Sequence, residues 1–231
     1  MKEFDLSTGI ALYNEQKITD ALTFFLSAPE SKTVEDATEK AYYLGLCYTK
    51  LGSYEQALEF LEQVVTSSQD EKQIFQCRLL LSVAYAKTGR VKLAEDELKL
   101  LEREISSNSA NSDKADLYNA LGFIAFEKGE VQASIDYYEK VLKVQPNNTT
   151  ALNGLGYVFA ETNQNLSRAL SLCRQATDAK PNYAPYLDSL AWVYYKMHFN
   201  HEAKKVIKQV YESMPNDEIV KKHYNEIMDD E

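Results

Sequence analysis

Apolar residues recur at i, i+3, i+4 and i+7 through nearly all of this chain, interrupted at short intervals by a glycine or a few polar residues. That period lays one apolar stripe along a helix, and the interruptions predict that the helices come in pairs. One pair breaks near Gly52, another near Gly89 and a third near Gly129, where glycine lets the backbone turn sharply. Eight glycines and five prolines are few for 231 residues. Sandwiches and barrels need frequent turns, so the expected fold class is all-α.

Self-comparison shows how the pairs are related. Tyr118, Leu121, Gly122, Gly129, Tyr138, Val141 and Pro146 form one set. A shift of 34 residues gives Leu152, Leu155, Gly156, Cys173, Ala176 and Pro181, with one residue inserted near Leu166. A further shift of 35 gives Leu187, Leu190, Ala191, Tyr194, Ala203, Ile207, Val210 and Pro215. Looser copies lie upstream: Leu44, Gly45, Tyr48, Gly52, Ala57, Leu61 and Val64, then Leu81, Ser82, Tyr85, Gly89, Ala94, Leu98 and Leu101. A first copy comprises Gly9, Leu12, Ala21, Phe25 and Ala28. Six units thus begin near residues 2, 38, 75, 115, 149 and 184. Small residues at Gly45, Gly122, Gly156 and Ala191, facing Ala57, Ala94, Ala169 and Ala203, allow close helix approach. Pro146, Pro181 and Pro215 are expected to stop the second helix, and the first three units are read as lacking that proline.

This template resembles the tetratricopeptide repeat family, over about 215 of the 231 residues. The resemblance implies a right-handed α-solenoid of six helix-turn-helix repeats. The regular half, with Leu155-Gly156-Tyr157 and residues 186–195, looks like bacterial members, which commonly act as assembly factors. The expected organisation is three irregular repeats over 1–105, a polar loop over 106–112, three regular repeats over 113–215, and a capping helix with an acidic tail over 216–231. The loop is read as a tolerated insertion, with a hinge as the alternative. Asn216 is the expected N-cap of the last helix, whose apolar face comprises Ile219, Val220, Tyr224, Ile227 and Met228.

A net charge of −10 repels phosphate backbones and argues against nucleic-acid binding. Cys47, Cys77 and Cys173 are scattered, which fits buried thiols in a reducing compartment better than a disulfide framework. No signal peptide or long apolar run is visible, so the expectation is a cytoplasmic protein without a membrane span. A trimmed anchor or export signal would instead place it at a membrane or in the periplasm.

No catalytic or cofactor motif is present. His201-Glu202 lacks the second histidine of a zinc-protease helix, and His198 with His201 is read as a solvated turn rather than a metal site. The expectation is therefore no catalytic residue, no cofactor and no metal.

What the family resemblance adds is a concave face lined by the first helix of each unit. Its inner positions are Leu6, Ile10 and Tyr13; Tyr42, Leu46 and Thr49; Leu79, Val83 and Ala86; Asn119, Phe123 and Phe126; Asn153, Tyr157 and Ala160; Asp188, Trp192 and Tyr195. Phe123, Tyr157 and Trp192 are equivalent and make an aromatic stripe; Asn119, Asn153 and Asp188 are equivalent and make a polar ladder. Amides can hydrogen-bond a peptide backbone while aromatics grip side chains. The alternative is that the rings pack between repeats or under the cap. The candidate partner-binding residues are Tyr42, Leu46, Asn119, Phe123, Phe126, Asn153, Tyr157, Asp188, Trp192 and Tyr195.

The family's lysine-, arginine- and asparagine-lined clamp for an acidic chaperone tail is not expected. No inner position is Lys or Arg, and Asp188 repels a carboxylate. The predicted function is a non-enzymatic scaffold or assembly factor whose groove takes an apolar or amphipathic peptide or helix flanked by basic residues. The alternatives are a self-associating component, for example a homodimer, and a carrier of an apolar small molecule.

Overall fold

The computed structural model describes residues 5–31, 33–105, 110–215 and 217–229. Among these are thirteen α-helices and no strand, and the chain divides into two compact units, Met1–Asn108 and Ser109–Glu231. The expected loop falls partly on residues 106–109, outside the described residues.

The first unit holds α1 (Ser7–Asn14), α2 (Ile18–Ser27), α3 (Val34–Lys50), α4 (Tyr54–Ser67), α5 (Glu71–Lys87) and α6 (Val91–Glu104). The second holds α7 (Asn111–Glu127), α8 (Val131–Val144), α9 (Thr149–Glu161), α10 (Leu166–Ala179), α11 (Ala184–Lys196), α12 (Asn200–Ser213) and α13 (Glu218–Asp229). Odd-numbered helices are the first members of the repeats. Within each unit, every helix packs on its neighbour in sequence, and each first helix also touches the first helix of the next repeat. Each unit is therefore an α-solenoid, built by stacking one supersecondary element.

One backbone device joins the helices of all six repeats. The residue two past the first helix is left-handed each time: Gln16, Gly52, Gly89, Gly129, Asn163 and His198. Around it two hydrogen bonds recur, as in Gly129 N–H to the Phe126 carbonyl and Glu130 N–H to the Ala125 carbonyl, both 2.8 Å. Such a Schellman turn satisfies two carbonyls orphaned at the helix end. Three repeats use glycine there, which reaches positive φ without strain. The others hold a side chain in that conformation. His198 is one of them and is solvent-exposed, while the exposed His201 lies in the first turn of α12. The extra residue near Leu166 is absorbed by a second left-handed residue, Asn165.

The second helices end where proline forbids continuation: α8, α10 and α12 stop two residues before Pro146, Pro181 and Pro215. The first repeat was read as lacking this proline, and that reading is corrected. Helix α2 stops at Ser27, two residues before Pro29, with Ala28 already extended at ψ 135° because proline crowds the residue before it. Asn216 lies outside the described residues. The Asp217 carboxylate accepts from the N–H groups of Ile219 and Val220 at 2.9 and 3.0 Å and caps α13.

Close helix approach sets the core. The Tyr138 ring lies against both Gly122 of its own repeat and Gly154 of the next, where an added Cβ would meet ring atoms at 3.0 and 2.4 Å. Gly156 faces Cys173 in the same way. In the second unit one apolar cluster runs from Ala115 to Ile227 through all three repeats and α13. In the first unit, Ala41 to Ala84 form one cluster, while Ala21, Phe25, Leu44 and Cys47 form another. The three cysteines are buried free thiols.

Candidate functional site

The polar ladder is set by repeat length. Asn119 lies on α7, Asn153 on α9 and Asp188 on α11, spaced by 34 and 35 residues. The next step of 35 reaches His223 on α13, so the ladder has a fourth rung that the sequence reading missed. The signal was present in the spacing, but the incomplete last repeat was read only as a cap. Four residues beyond each rung, on the same helix face, come Phe123, Tyr157, Trp192 and Ile227.

The last two rungs engage each other. His223 Nδ1 lies 2.9 and 3.0 Å from the two Asp188 carboxylate oxygens, and the pair is buried. The His223 ring stacks on Trp192 at 4.1 Å between centroids and an interplanar angle of 16°. Trp192 Nε1–H donates to the Glu161 carboxylate at 2.6 Å, and Lys196 Nζ stands 4.5 Å from the indole centroid. The indole is consequently only 1% exposed.

For Trp192 this arrangement is the alternative reading, a ring packed under the last helix. Trp192 and Asp188 are buried, because α13 places His223 against them. Asn119 and Leu46 are buried as well. Phe123, Phe126, Asn153, Tyr157 and Tyr195 remain half-buried, as does Tyr42, whose hydroxyl donates to Gln76 of the following repeat. Five of the candidate residues are thus brought together with part of their surface accessible in the second unit, while Tyr42 and Leu46 belong to the first.

The open part of the inner face is centred on Tyr157. Its ring meets Phe126 edge-to-face at 5.7 Å and His223 at 6.0 Å. Burial first, then the negative charge of Glu161, Asp188, Glu127 and Glu226, holds its phenol well above the usual tyrosine range. In the first unit the Tyr42 phenol is also raised, chiefly by burial.

Two amides on this face are incompletely satisfied. Asn119 Nδ2 donates to Asn148 Oδ1 at 3.3 Å, but its own Oδ1 is buried with no partner, and so is Asn153 Oδ1. His223 Nε2 is likewise buried and unpartnered. A buried acceptor without a donor is costly, and native proteins usually satisfy it with water or a ligand. Among the described residues, no group of three or more His, Cys, Asp or Glu side chains could hold a metal ion.

Paired helices repeated at this spacing, with a ladder and stripe on the first-helix face, define a helical-repeat solenoid. Comparison with known proteins gives the family. Tetratricopeptide repeat profiles match residues 119–184 and 41–69. The chain is 36% identical over 98 residues to an uncharacterized ycf37 protein of Pyropia yezoensis, covering 39% of this chain and 54% of that one. It is 24% identical over 138 residues to the TPR repeat-containing protein PA4667 of Pseudomonas aeruginosa, covering 53% of this chain and 23% of that one. The chain therefore spans about half of the first relative and a quarter of the second. Among solved structures, a tetratricopeptide repeat protein from Parabacteroides merdae superposes with TM-score 0.69 at 16% identity, covering 96% of this chain and 82% of that one. The Cut9–Hcn1 hetero-tetramer of the APC/C superposes with TM-score 0.66 at 18% identity, covering 96% and 42%. The chain thus carries tetratricopeptide repeats, matched over residues 119–184 and 41–69. Such repeats are protein–protein interaction and assembly modules, generally without enzymatic activity. No helix among the described residues is long and apolar enough to cross a membrane.

Proposed function

We propose that the chain is an assembly scaffold whose second unit binds a segment of a partner protein along the faces of α7 and α9. The observation that carries this reading is the pair of equivalent amides, Asn119 and Asn153, whose oxygens are buried without partners beside the half-buried rings of Phe123, Phe126 and Tyr157. A peptide supplies what each lacks: backbone N–H groups for the amide oxygens and apolar side chains for the rings. The segment is apolar or amphipathic. An acidic tail does not suit this face, because Asp188, Glu161, Glu127 and Glu226 surround Tyr157 with negative charge.

Affinity capture with two baits tests the reading. One is the wild-type chain; the other carries Phe123→Glu and Tyr157→Glu, with helicity confirmed by circular dichroism. Partners retained by the first and lost by the second support the groove. Equal capture by both overturns it, and concentration-dependent mass of the chain alone would point to self-association instead.

A further inference from the structure

The second helices carry an outward register that packs against neither the core nor the inner face. The second, sixth and ninth residues of α2, α4, α6, α8, α10 and α12 are solvent-exposed in all six repeats, so stacking leaves their identity free. In α4 they are Glu55, Glu59 and Glu62, and in α8 Gln132, Asp136 and Glu139. In α10 they are Ser167, Ser171 and Arg174, and in α12 His201, Lys205 and Lys208. The ridge thus turns from acidic to basic within the second unit of an acidic chain. Residues 162–211 hold seven Lys and Arg against three Asp and Glu, whereas the rest of the chain holds eighteen against thirty-two. Earlier on the ridge the protein answers its own charges: Glu55 meets Arg90 at 3.0 Å, Asp96 meets Lys99 at 3.5 Å and Glu139 meets Arg168 at 2.8 Å. Lys205 and Lys208 pair with no carboxylate among the described residues.

We propose that the exposed face of α12 docks a short acidic helix of a partner protein. His201, Lys205 and Lys208 lie at i, i+4 and i+7, so they share one side of the helix over about two turns, roughly 10 Å. A partner helix with Glu or Asp at the same spacing offers one carboxylate to each, and charge complementarity fixes its register. Carboxylates bound the basic ridge: Asp136 and Glu139 on α8, and Glu202 and Glu212 in the first and last turns of α12. A long polyanion or an anionic membrane would extend over those carboxylates, within about one Debye length of them, whereas a short acidic helix reaches only the lysines. The ridge lies on a second helix and the proposed groove on first helices, so the two sites are separate and a scaffold with both holds two partners.

The test uses the full chain and fluorescein-labelled synthetic helices built from Ala and Gln, with Glu, Gln or Lys at i, i+4 and i+7. Binding is read by fluorescence anisotropy at low salt. The Glu helix is expected to bind and the Gln and Lys helices not, with affinity falling as salt rises. Lys205→Glu with Lys208→Glu, both at exposed positions, should weaken the Glu helix about tenfold. Lys92→Glu with Lys99→Glu changes the net charge equally, at the same register of α6, and should leave binding unchanged. Circular dichroism confirms that both variants stay helical. Equal weakening by the two variants means that only the field of the whole chain is sensed, and overturns the site. Absence of binding by the Glu helix overturns it too. So does tighter binding of a single-stranded oligonucleotide or of phosphatidylserine vesicles that the α12 variant abolishes.

Discussion

The inner faces of the two units are built on one backbone template and differ in chemistry. In residues 5–105 the ladder positions carry Leu6, Tyr42 and Leu79 rather than amides. Tyr42 closes its hydroxyl onto Gln76, so the rung is self-satisfied. In residues 110–229 the same register holds Asn, Asn, Asp and His, of which only the last two satisfy each other. A repeat scaffold separates the residues that stack it from those free to vary. On this register the unpartnered amide oxygens, Asn119 and Asn153, both lie in the second unit, which is why the proposed groove is placed there. The cores differ in parallel, one continuous cluster in the second unit against clusters divided between repeats in the first.

Trp192→Ala should do the greatest damage. It empties a fully buried site and removes the platform for His223, costing about 3–5 kcal/mol in urea unfolding. His223→Leu should cost about 3 kcal/mol by leaving the Asp188 carboxylate buried without its partner. Adding Asp188→Asn, which restores the residue of the two preceding rungs, should recover much of that loss. A double-mutant cycle that shows simple additivity would mean the two rungs are not coupled.

The glycine pair separates the units more finely. A Cβ on Gly156 would meet the Cys173 sulfur at 2.5 Å and the Ala169 carbonyl oxygen at 3.1 Å, and backbone cannot step aside. Gly156→Ala should therefore destabilise by about 1–2 kcal/mol even after the helix-propensity gain of about 1 kcal/mol. On Gly45 the nearest atoms are Leu61 Cδ2 and Cγ at 2.8 and 3.0 Å, side chain rather than backbone, so Gly45→Ala should cost less than Gly156→Ala. Equal losses at both sites would contradict the difference in packing.

Thiol labelling then compares the cores directly. Burial pushes the Cys47 thiol up to about 11, and those of Cys77 and Cys173 to about 12. At pH 8 the folded chain thus offers almost no thiolate, and a disulfide reagent must wait for local opening. Cys47 and Cys77 should react about tenfold faster than Cys173 if the divided core opens piecemeal. The smallest effect belongs to the turns: Gly129→Ala should lose about 1 kcal/mol, whereas His198→Gly should gain a few tenths, since it relieves a strained left-handed residue.

Repeat number, helix pairing and the turns at Gly52, Gly89 and Gly129 were legible because repeat spacing and glycine report backbone needs that tertiary context does not alter. Left-handed Gln16, Asn163 and His198 were not legible, for those residues adopt many conformations and only the packed helix pair forces this one. Pro29 was visible but overlooked, since its repeat matches the template weakly. At the site, the ladder and stripe could be read from register. The closure of Asp188 and Trp192 could not, because it depends on where an incomplete repeat lays His223.

Site-specific photocrosslinking tests the central claim most directly. A benzophenone amino acid replaces Tyr157 on the inner face of the second unit, Tyr42 on that of the first, or Val144 on a second helix, and the chain is irradiated in native extract. The account predicts one set of partner peptides, captured from position 157 and absent from 42 and 144. Capture of those peptides from position 42 or 144, with none from 157, would contradict it.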